Sequence, residues 1–402
     1  MKLGETKMKK HRWTILAFGF CVCSLLVLIG CDVQIGDWQQ AKYERTIQSQ
    51  APLAAGSTLA AETRFGSVTI AGADVGDCNV TAKITARAPT EEEAKQIAEK
   101  VKIRLKQDAQ TLRVVAEQPH LKSKRSISIS YNITVPKQTN VECASSYGPL
   151  ELSGLNGDVR GKTSSGSVAG DNIQGSVQLE TAYGSVTCRH VSGDNIKLKS
   201  SSGEITAEHV KGPVQLQTSY GSINCNDVSG GDIKLKTSSG KIALSKASFG
   251  DCDVDTAYGS IRTDELTGNS IRLHSASGSI TVRQASAKTA DMSTSYGRID
   301  CQQITANDIA AKSGSGNIDI ACSEKTPAEI TASAVTAYGS IEFTAPPGFA
   351  GQVELSTSYG SVRTDLPIMI TGEVSKKKLA GTVGQGKGKL HLETRSGSIR
   401  LK

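Results

Sequence analysis

The chain has 402 residues, a formal net charge of +7 and 40 glycines. Its hydrophobic fraction of 38% is too high for a disordered chain. Its length is also too great for a minimal domain. The sequence therefore predicts a folded protein with a sizeable core.

The first thirty residues have the pattern of a bacterial lipoprotein signal peptide. A basic stretch over residues 7–12 precedes an uncharged, mostly apolar run over residues 13–30. The run ends in Leu28-Ile29-Gly30-Cys31, which resembles a lipobox, so we expect residues 1–30 to be cleaved and Cys31 to be lipidated. The alternative is a signal-anchor helix that stays in place, since a run of this length can just span a bilayer.

The basicity of the chain belongs mostly to this segment. Without residues 1–30 the chain carries 41 basic and 38 acidic residues, a net charge of +3. So small an excess of basic residues gives no support for binding to the phosphates of a nucleic acid. We therefore predict no nucleic-acid partner.

Seven cysteines remain after Cys31. The odd number and the lack of a CxxC pair downstream of the signal argue against a disulfide framework or a zinc site. Three of them occupy one repeat position and are predicted to be small apolar fillers of a core column, two or more rungs apart and too distant for a disulfide: Cys188, Cys225 and Cys301.

Residues 31–52 are polar and mixed, and we predict a tether there. Residues 53–140 are predicted to form an N-terminal β/α cap with the first strands. Thr90 is a good N-cap, and Glu93 three residues later completes a capping box for one convincing helix. The predicted strand-helix-strand piece would cover the open end of the repeat domain, since an uncovered end exposes unpaired strand edges.

Residues 141–402 are predicted to form the repeat domain. A glycine recurs roughly every 18–19 residues, preceded alternately by tyrosine and by serine. A short glycine-punctuated repeat of this kind indicates a solenoid. The regular series is Tyr147-Gly148, Ser165-Gly166, Tyr183-Gly184, Ser202-Gly203, Tyr220-Gly221, Ser239-Gly240, Tyr258-Gly259, Ser277-Gly278, Tyr296-Gly297 and Ser315-Gly316.

Alignment on the glycine reveals apolar columns two residues after it and five before it, with polar neighbours on both sides. This alternation predicts short strands with one face inward, and hence an all-β, single-stranded β-helix. We expect a rung of one 18–19-residue unit, because lysines of the serine units then lie between acidic or neutral residues of the tyrosine units. A 37-residue rung, the remaining alternative, would stack lysine on lysine.

The order of these features resembles the bacterial putative-adhesin family of β-strand-repeat proteins, largely a domain of unknown function. The resemblance rests on the Tyr-Gly-Ser-Ile and Ser-Gly-Ser-Ile units, on Ile133-Thr134-Val135-Pro136, and on the closing segment Gly384–Thr394. It covers nearly all of residues 55–402. It implies a β-helix and an adhesive or envelope role, and it supplies no catalytic residues.

A candidate zinc or copper site lies six residues after the repeat glycine. His190, His209 and Asp227 take this position on three successive units and would form an outward column. Because the column continues with Lys246, we interpret it as an exposed polar ladder and predict neither a metal nor a cofactor.

The uniform rungs and short loops favour a non-catalytic protein, an adhesin or a binding scaffold anchored to the bacterial envelope at its periplasmic or surface face. Its partners would be the lipid bilayer, through Cys31, and an envelope polymer or protein. The alternative is a polysaccharide-active β-helix enzyme, a lyase or hydrolase. No Ser-His-Asp set or paired carboxylates break the repeat, and we predict no catalytic residues.

Overall fold

A computed structural model describes residues 40–371 and 375–402. The predicted signal peptide, the lipidation site Cys31 and the start of the predicted tether lie outside the described residues. No helix within the described ranges has the length and apolarity needed to cross a membrane.

The N-terminal part combines seven strands and one helix. In chain order they are β1 (Ala41–Pro52), β2 (Thr58–Phe65), β3 (Val68–Ala73), β4 (Asp77–Ala88), α1 (Glu91–Lys100), β5 (Lys102–Asp108), β6 (Thr111–Glu117) and β7 (Ser126–Pro136). The predicted helix is present, and the Thr90 hydroxyl accepts a hydrogen bond from the Glu93 amide at 3.3 Å. The Glu93 carboxylate, predicted to complete the capping box, instead accepts one from Arg125 Nε at 2.6 Å.

Part of the predicted tether is a strand. β1 pairs antiparallel with β4 along its whole length, and alternate side chains from Tyr43 to Ala51 pack against the core. Only three of these inward positions are apolar, and Arg45 between them donates hydrogen bonds to the carbonyls of Ala98, Glu99 and Val101 at the end of α1. This half-polar inner face explains why the segment looked like a tether.

The middle of the chain is a parallel β-helix. Its strands are β8 (Asn140–Tyr147), β9 (Leu150–Leu155), β10 (Val159–Thr163), β11 (Val168–Gln174), β12 (Val177–Glu180), β13 (Val186–Ser192), β14 (Ile196–Lys199), β15 (Ile205–Lys211), β16 (Val214–Gln217), β17 (Ile223–Thr237), β18 (Ile242–Thr256), β19 (Ile261–Thr267), β20 (Ser270–Ser275), β21 (Ile280–Ser286), β22 (Thr289–Thr294), β23 (Ile299–Thr305), β24 (Asp308–Ser313), β25 (Ile318–Cys322), β26 (Thr331–Thr336) and β27 (Ile341–Thr344).

Each rung is one repeat unit. Val168 of β11 pairs with Val186 of β13, and Val186 pairs in turn with Ile205 of β15, so the register advances by a single unit from each strand to its partner. The predicted one-unit rung is thereby confirmed, and the doubled rung is excluded.

The core is a stack of columns, one residue per rung. Cys188, Cys225 and Cys301 share a column with Ala207 and Val282 and are buried as predicted. Burial raises the pKa of the Cys188 thiol to about 12, which makes it unreactive at neutral pH.

The remaining strands form the C-terminal end. They are β28 (Gly351–Thr357), β29 (Val362–Thr364), β30 (Met369–Ile370), β31 (Lys378–Val383), β32 (Gly388–Thr394) and β33 (Ile399–Leu401). The rung made by β32 and β33 comes last in the sequence but is not the last rung of the solenoid. It is inserted between the rung of β26 and β27 and the rung of β28 and β29.

The N-terminal end has the same arrangement. The rung of β2 and β3 lies between that of β6 and β7 on one side and that of β8 and β9 on the other. Antiparallel strands then close both ends: β4 on β7 and β5 on β6 at one end, β31 on β28 at the other. Such closure covers hydrogen-bonding edges that would otherwise pair with other chains.

Candidate binding surface

The repeat glycines form a column at one corner of the rungs, where successive backbones approach too closely for a side chain. A Cβ atom built on Gly240 would lie 1.7 Å from the carbonyl oxygen of Gly221 in the preceding rung. Only hydrogen fits in that space, which explains why the residue is invariably glycine along this chain.

A column of buried hydroxyls holds this corner in place. The Thr237 hydroxyl donates to the Gly221 carbonyl of the preceding rung at 3.0 Å and accepts from the Gly240 amide at 3.2 Å. Sequence reasoning missed this column, although a serine or threonine three residues before each repeat glycine was the available signal. Its members are Ser145, Thr163, Thr181, Ser200, Thr218, Thr237, Thr256, Ser275, Thr294, Ser313, Thr336, Thr394 and Thr357.

The residue before each repeat glycine projects from this rigid corner into solvent. Seven of the nine tyrosines occupy this position, with side chains 58–74% exposed. We call this row the tyrosine edge: Tyr147, Tyr183, Tyr220, Tyr258, Tyr296, Tyr338 and Tyr359.

Tyrosine and serine alternate along the edge from rung to rung, even where two tyrosine units follow each other in the sequence. Tyr338 and Tyr359 follow one another along the chain with no serine unit between them. The inserted rung fills that place, because Gly397 packs on Gly339 and Gly360 packs on Gly397. Ser396 therefore lies between the two tyrosines, and the edge alternates up to its C-terminal end.

Only the N-terminal end of the edge departs from this pattern. Phe65 lies in the rung next to Tyr147, and the two rings stack with centroids 5.1 Å apart and planes 11° from parallel. Aromatic rings in adjacent rungs thus fit against each other at this corner.

The surroundings of the edge are small and mostly uncharged. Each of its seven tyrosines follows a serine or alanine, and eight of the thirteen repeat glycines from Gly148 onward are followed by serine. Tyrosine gives rigid amphipathic contact area, and serine and glycine give adaptable hydrogen bonding, the composition that antibody paratopes also use. The tyrosine edge therefore has the character of a binding surface.

Most charged residues lie on the other faces, where they pair with opposite charges in adjacent rungs. Lys236 Nζ lies 2.9 Å from Asp255, as the lysine-acid alternation predicted, and Arg189 Nε lies 2.9 Å from Glu208 at a different position of the repeat. The densest acidic patch also follows this pattern, since Arg272 is in register between Asp253 and Asp291.

The histidine column has no convergent ligand set. His190 Nδ1 lies 3.0 Å from Asp171, and His209 Nδ1 lies 2.7 Å from Asp227. The two imidazoles stack face to face with centroids 5.1 Å apart, so their nitrogens do not converge on one point. Across residues 40–371 and 375–402, no group of three or more histidine, cysteine or acidic residues has the geometry of a metal site.

This column instead marks a bend in the successive rungs from Asn172 to Gln303. His190, His209 and Asp227 have φ between 51° and 55°, and later members such as Lys246 and Glu265 share the left-handed conformation. The bend turns two consecutive side chains outward before the strand resumes its alternation. Conformation rather than ligand chemistry accounts for this position.

The described residues form a closed β-solenoid that presents one aromatic edge to solvent. The chain belongs to the Toastrack DUF4097 family, whose model matches residues 62–251 and 229–402. This confirms the resemblance found in the sequence. A comparison with curated proteins finds no match.

Several solved structures align with the chain at low similarity. A putative adhesin from Bacteroides fragilis NCTC 9343 is 14% identical over 89% of this chain and 97% of that chain, with a TM-score of 0.18. A putative lipid binding protein from Parabacteroides distasonis ATCC 8503 is 11% identical over 89% and 96%, with a TM-score of 0.22. A putative adhesin from Parabacteroides merdae ATCC 43184 is 9% identical over 89% and 96%, with a TM-score of 0.24. Similarity at this level says nothing about the ligand of this chain.

Proposed function

We propose that this protein is a non-catalytic lipoprotein of the bacterial cell envelope, anchored to a membrane through lipidated Cys31, whose solenoid presents the tyrosine edge as a binding surface. The role is that of an adhesin or scaffold. The observation that carries the proposal is the edge itself, a row of exposed rings on a rigid corner that the fold does not need for its core.

The energetics of recognition favour such a surface. Tyrosine is among the residues that contribute most to binding when they become desolvated at an interface. Here the backbone beneath each ring is fixed by the glycine column and by the buried hydroxyls, so little ordering is needed when a partner binds. The serines beside each ring supply hydrogen-bonding groups without adding bulk.

Among the described residues, the one carboxylate whose pKa is raised is that of Asp319, and its surroundings support the non-catalytic part of the proposal. Catalytic acids are commonly carboxyls whose pKa is strongly perturbed in a cleft. Desolvation raises the pKa of Asp319, yet Arg298 binds this carboxylate at 2.6 Å and opposes the shift. A carboxylate held in a surface ion pair is not positioned as a general acid.

The test uses the full chain expressed in a bacterium with a radiolabelled fatty acid. We expect label and membrane fractionation for the wild type, and loss of both in Cys31→Ser. Purified wild type should bind isolated envelopes, and Tyr220→Ser/Tyr258→Ser/Tyr296→Ser should bind at least about 100-fold more weakly, since three central rings are lost.

Two controls complete the test. Lys197→Ser/Gln215→Ser/Lys234→Ser removes as many exposed side chains from another face and should bind like the wild type. Incubation with cell-wall and uronic-acid polymers should release no new reducing ends or unsaturated products, and clear turnover would show that the protein is an enzyme.

A further inference from the structure

The tyrosine edge is a row of projections and gaps with a fixed period. Tyrosines occur on every second rung, about 10 Å apart at the usual spacing of neighbouring strands. A serine occupies the rung between them, so each gap is one rung high. The stacked rings of Phe65 and Tyr147, 5.1 Å apart in adjacent rungs, show that one such rung accommodates one more aromatic ring.

We propose that the gaps are filled by the tyrosines of a second copy of this chain, so that two solenoids pair side by side through interdigitated tyrosine edges. This inference rests on the proposed function, because it names the partner of the same edge: isolated envelopes then bind the purified protein through the copies that they already carry. A surface with the identical period is the one partner whose rings match every gap, and the second copy supplies it.

The pairing is antiparallel and two-fold symmetric. A two-fold axis perpendicular to the solenoids places the same patch on both copies and closes the assembly. Parallel solenoids offset by one rung would also interdigitate, but they would leave unmatched ends and continue into larger assemblies.

One antiparallel register uses every serine gap. It places Tyr258 of one copy in the gap at Ser277 of the other, with the axis between these two rungs. The full set of contacts is Tyr183 with Ser396, Tyr220 with Ser315, Tyr258 with Ser277, Tyr296 with Ser239, Tyr338 with Ser202 and Tyr359 with Ser165. Phe65 and Tyr147, which already fill each other's gap, lie beyond the overlap.

The area and the charge of the edge suit this partner. An aromatic side chain can bury 150–250 Å², so six tyrosines exposed by 62–74% contribute roughly 850 Å² per copy, close to the ~800 Å² of a stable interface. Serine and alanine make up most of the residues beside the edge, and its charged neighbours are isolated: Glu204, Lys241, Arg298 and Arg395. Lys377 Nζ lies 5.8 Å from the Tyr359 ring at the C-terminal end, but no continuous stripe of one charge runs along the edge to favour a polyanion or polycation over a second copy.

The first test measures the oligomeric state of the full chain in detergent by sedimentation and light scattering. We expect a dimer whose dissociation constant rises at least about 100-fold in Tyr220→Ser/Tyr258→Ser/Tyr296→Ser. Lys197→Ser/Gln215→Ser/Lys234→Ser, which keeps the same anchor, should dimerise like the wild type. Photo-oxidation should form dityrosine between wild-type copies, because only pairing brings tyrosine rings within one rung of each other.

A second variant separates interdigitation from general stickiness. Ser239→Tyr/Ser277→Tyr fills two central gaps, and the Phe65–Tyr147 stack shows that adjacent rings fit the fold. We expect this variant to lose the dimer although its edge is more apolar. Circular dichroism and the thermal unfolding midpoint check that each variant is folded.

Three results would overturn the inference. They are a wild type that stays monomeric at high concentration, a dimer that survives the triple serine variant, and a dimer strengthened by Ser239→Tyr/Ser277→Tyr. If the wild type is monomeric but binds cell-wall polysaccharide through the tyrosines, the edge is a glycan-binding surface. The proposed function then stands while the pairing is wrong.

Discussion

Between Gly148 and Gly339 each rung packs on the units before and after it in sequence, whereas at both ends of the solenoid a rung is inserted out of order. In the middle, the hydroxyl of Thr256 reaches a glycine 16 residues away. At the C-terminal end, the equivalent hydroxyl of Thr394 reaches Gly339, 55 residues away. The same hydrogen bond forms in both regions. The interactions within a rung are therefore set by its own unit of sequence, whereas the order in which the rungs stack is set by pairing between distant segments.

The inserted rungs protect the two ends of the solenoid from fraying. A solenoid whose outermost rung is also the outermost in sequence can fray from that end, because one rung separates without disturbing any other. An inserted rung is covered on both sides and cannot leave first. The glycine, hydroxyl and charge columns allow this comparison to be tested.

The largest expected effect is at the glycine corner. Gly240→Ala in the middle and Gly397→Ala in the inserted rung both place a methyl group against a backbone oxygen of the preceding rung, at 1.7 and 2.1 Å. We expect each to lower the free energy of unfolding by about 4 kcal/mol or more, because backbone must shift. Denaturant unfolding followed by circular dichroism measures both.

Gly76→Ala is the matched control, because no atom lies within 4 Å of the added methyl group. It should change stability by less than about 0.5 kcal/mol. If Gly397→Ala were as mild as this control, the inserted rung would not lie between Gly339 and Gly360.

Buried hydroxyls should give intermediate effects of opposite sign. Thr256→Val and Thr394→Val each remove a hydroxyl that donates a hydrogen bond to a glycine carbonyl, and each should lower the free energy of unfolding by about 1–3 kcal/mol.

Thr263 is equally buried, but its hydroxyl has no hydrogen-bond partner among the described residues. Thr263→Val should therefore raise the free energy of unfolding by about 1 kcal/mol. A loss of stability in Thr263→Val would mean that its hydroxyl is bonded.

The smallest effects come from exposed ion pairs, each of which stabilises the fold only while both partners are charged. In the middle, the hydrogen bond and charge of Asp255 raise the pKa of Lys236. Its contribution is fully present below the ordinary lysine pKa of about 10.4 and is lost as pH rises through the raised value. At the C-terminal end, Lys402 lowers the pKa of Glu342, whose contribution is present above about pH 4.3 and is lost as pH falls.

Both pairs are exposed, so each should contribute less than about 1 kcal/mol and weaken with salt. The measurement is the thermal midpoint of wild type, Lys236→Gln and Lys402→Gln across pH. The wild-type advantage over Lys236→Gln should vanish in alkali, and the advantage over Lys402→Gln should vanish in acid. A wild-type advantage over Lys236→Gln that persists in strong alkali, or one over Lys402→Gln that persists in strong acid, would contradict this assignment.

The rung was predictable from sequence because each position repeats many times. The apolar columns, the one-unit rung and the lysine-acid alternation all follow from the short, nearly constant period of the repeat. The tyrosine edge was visible as a repeat, but its exposure was not, since a tyrosine at constant spacing can equally be a core residue.

The inserted rungs were not predictable, because no local pattern distinguishes them. The units at Gly66 and Gly397 have ordinary rung chemistry, and their neighbours are fixed only by pairing over long stretches of chain. The strand β1 was missed for a related reason: Arg45 lies on its inner face, where its partners on α1 can be known only from the fold.

The alternation of two kinds of rung restricts how many repeat units can be added to such a solenoid without breaking its contacts. One inserted unit would bring tyrosine beside tyrosine or serine beside serine, and would place lysine over lysine on the neighbouring face. Two inserted units would preserve every contact and lengthen the rod by about 10 Å. Homologous rods should therefore differ in length by pairs of units, and each pair adds a single tyrosine.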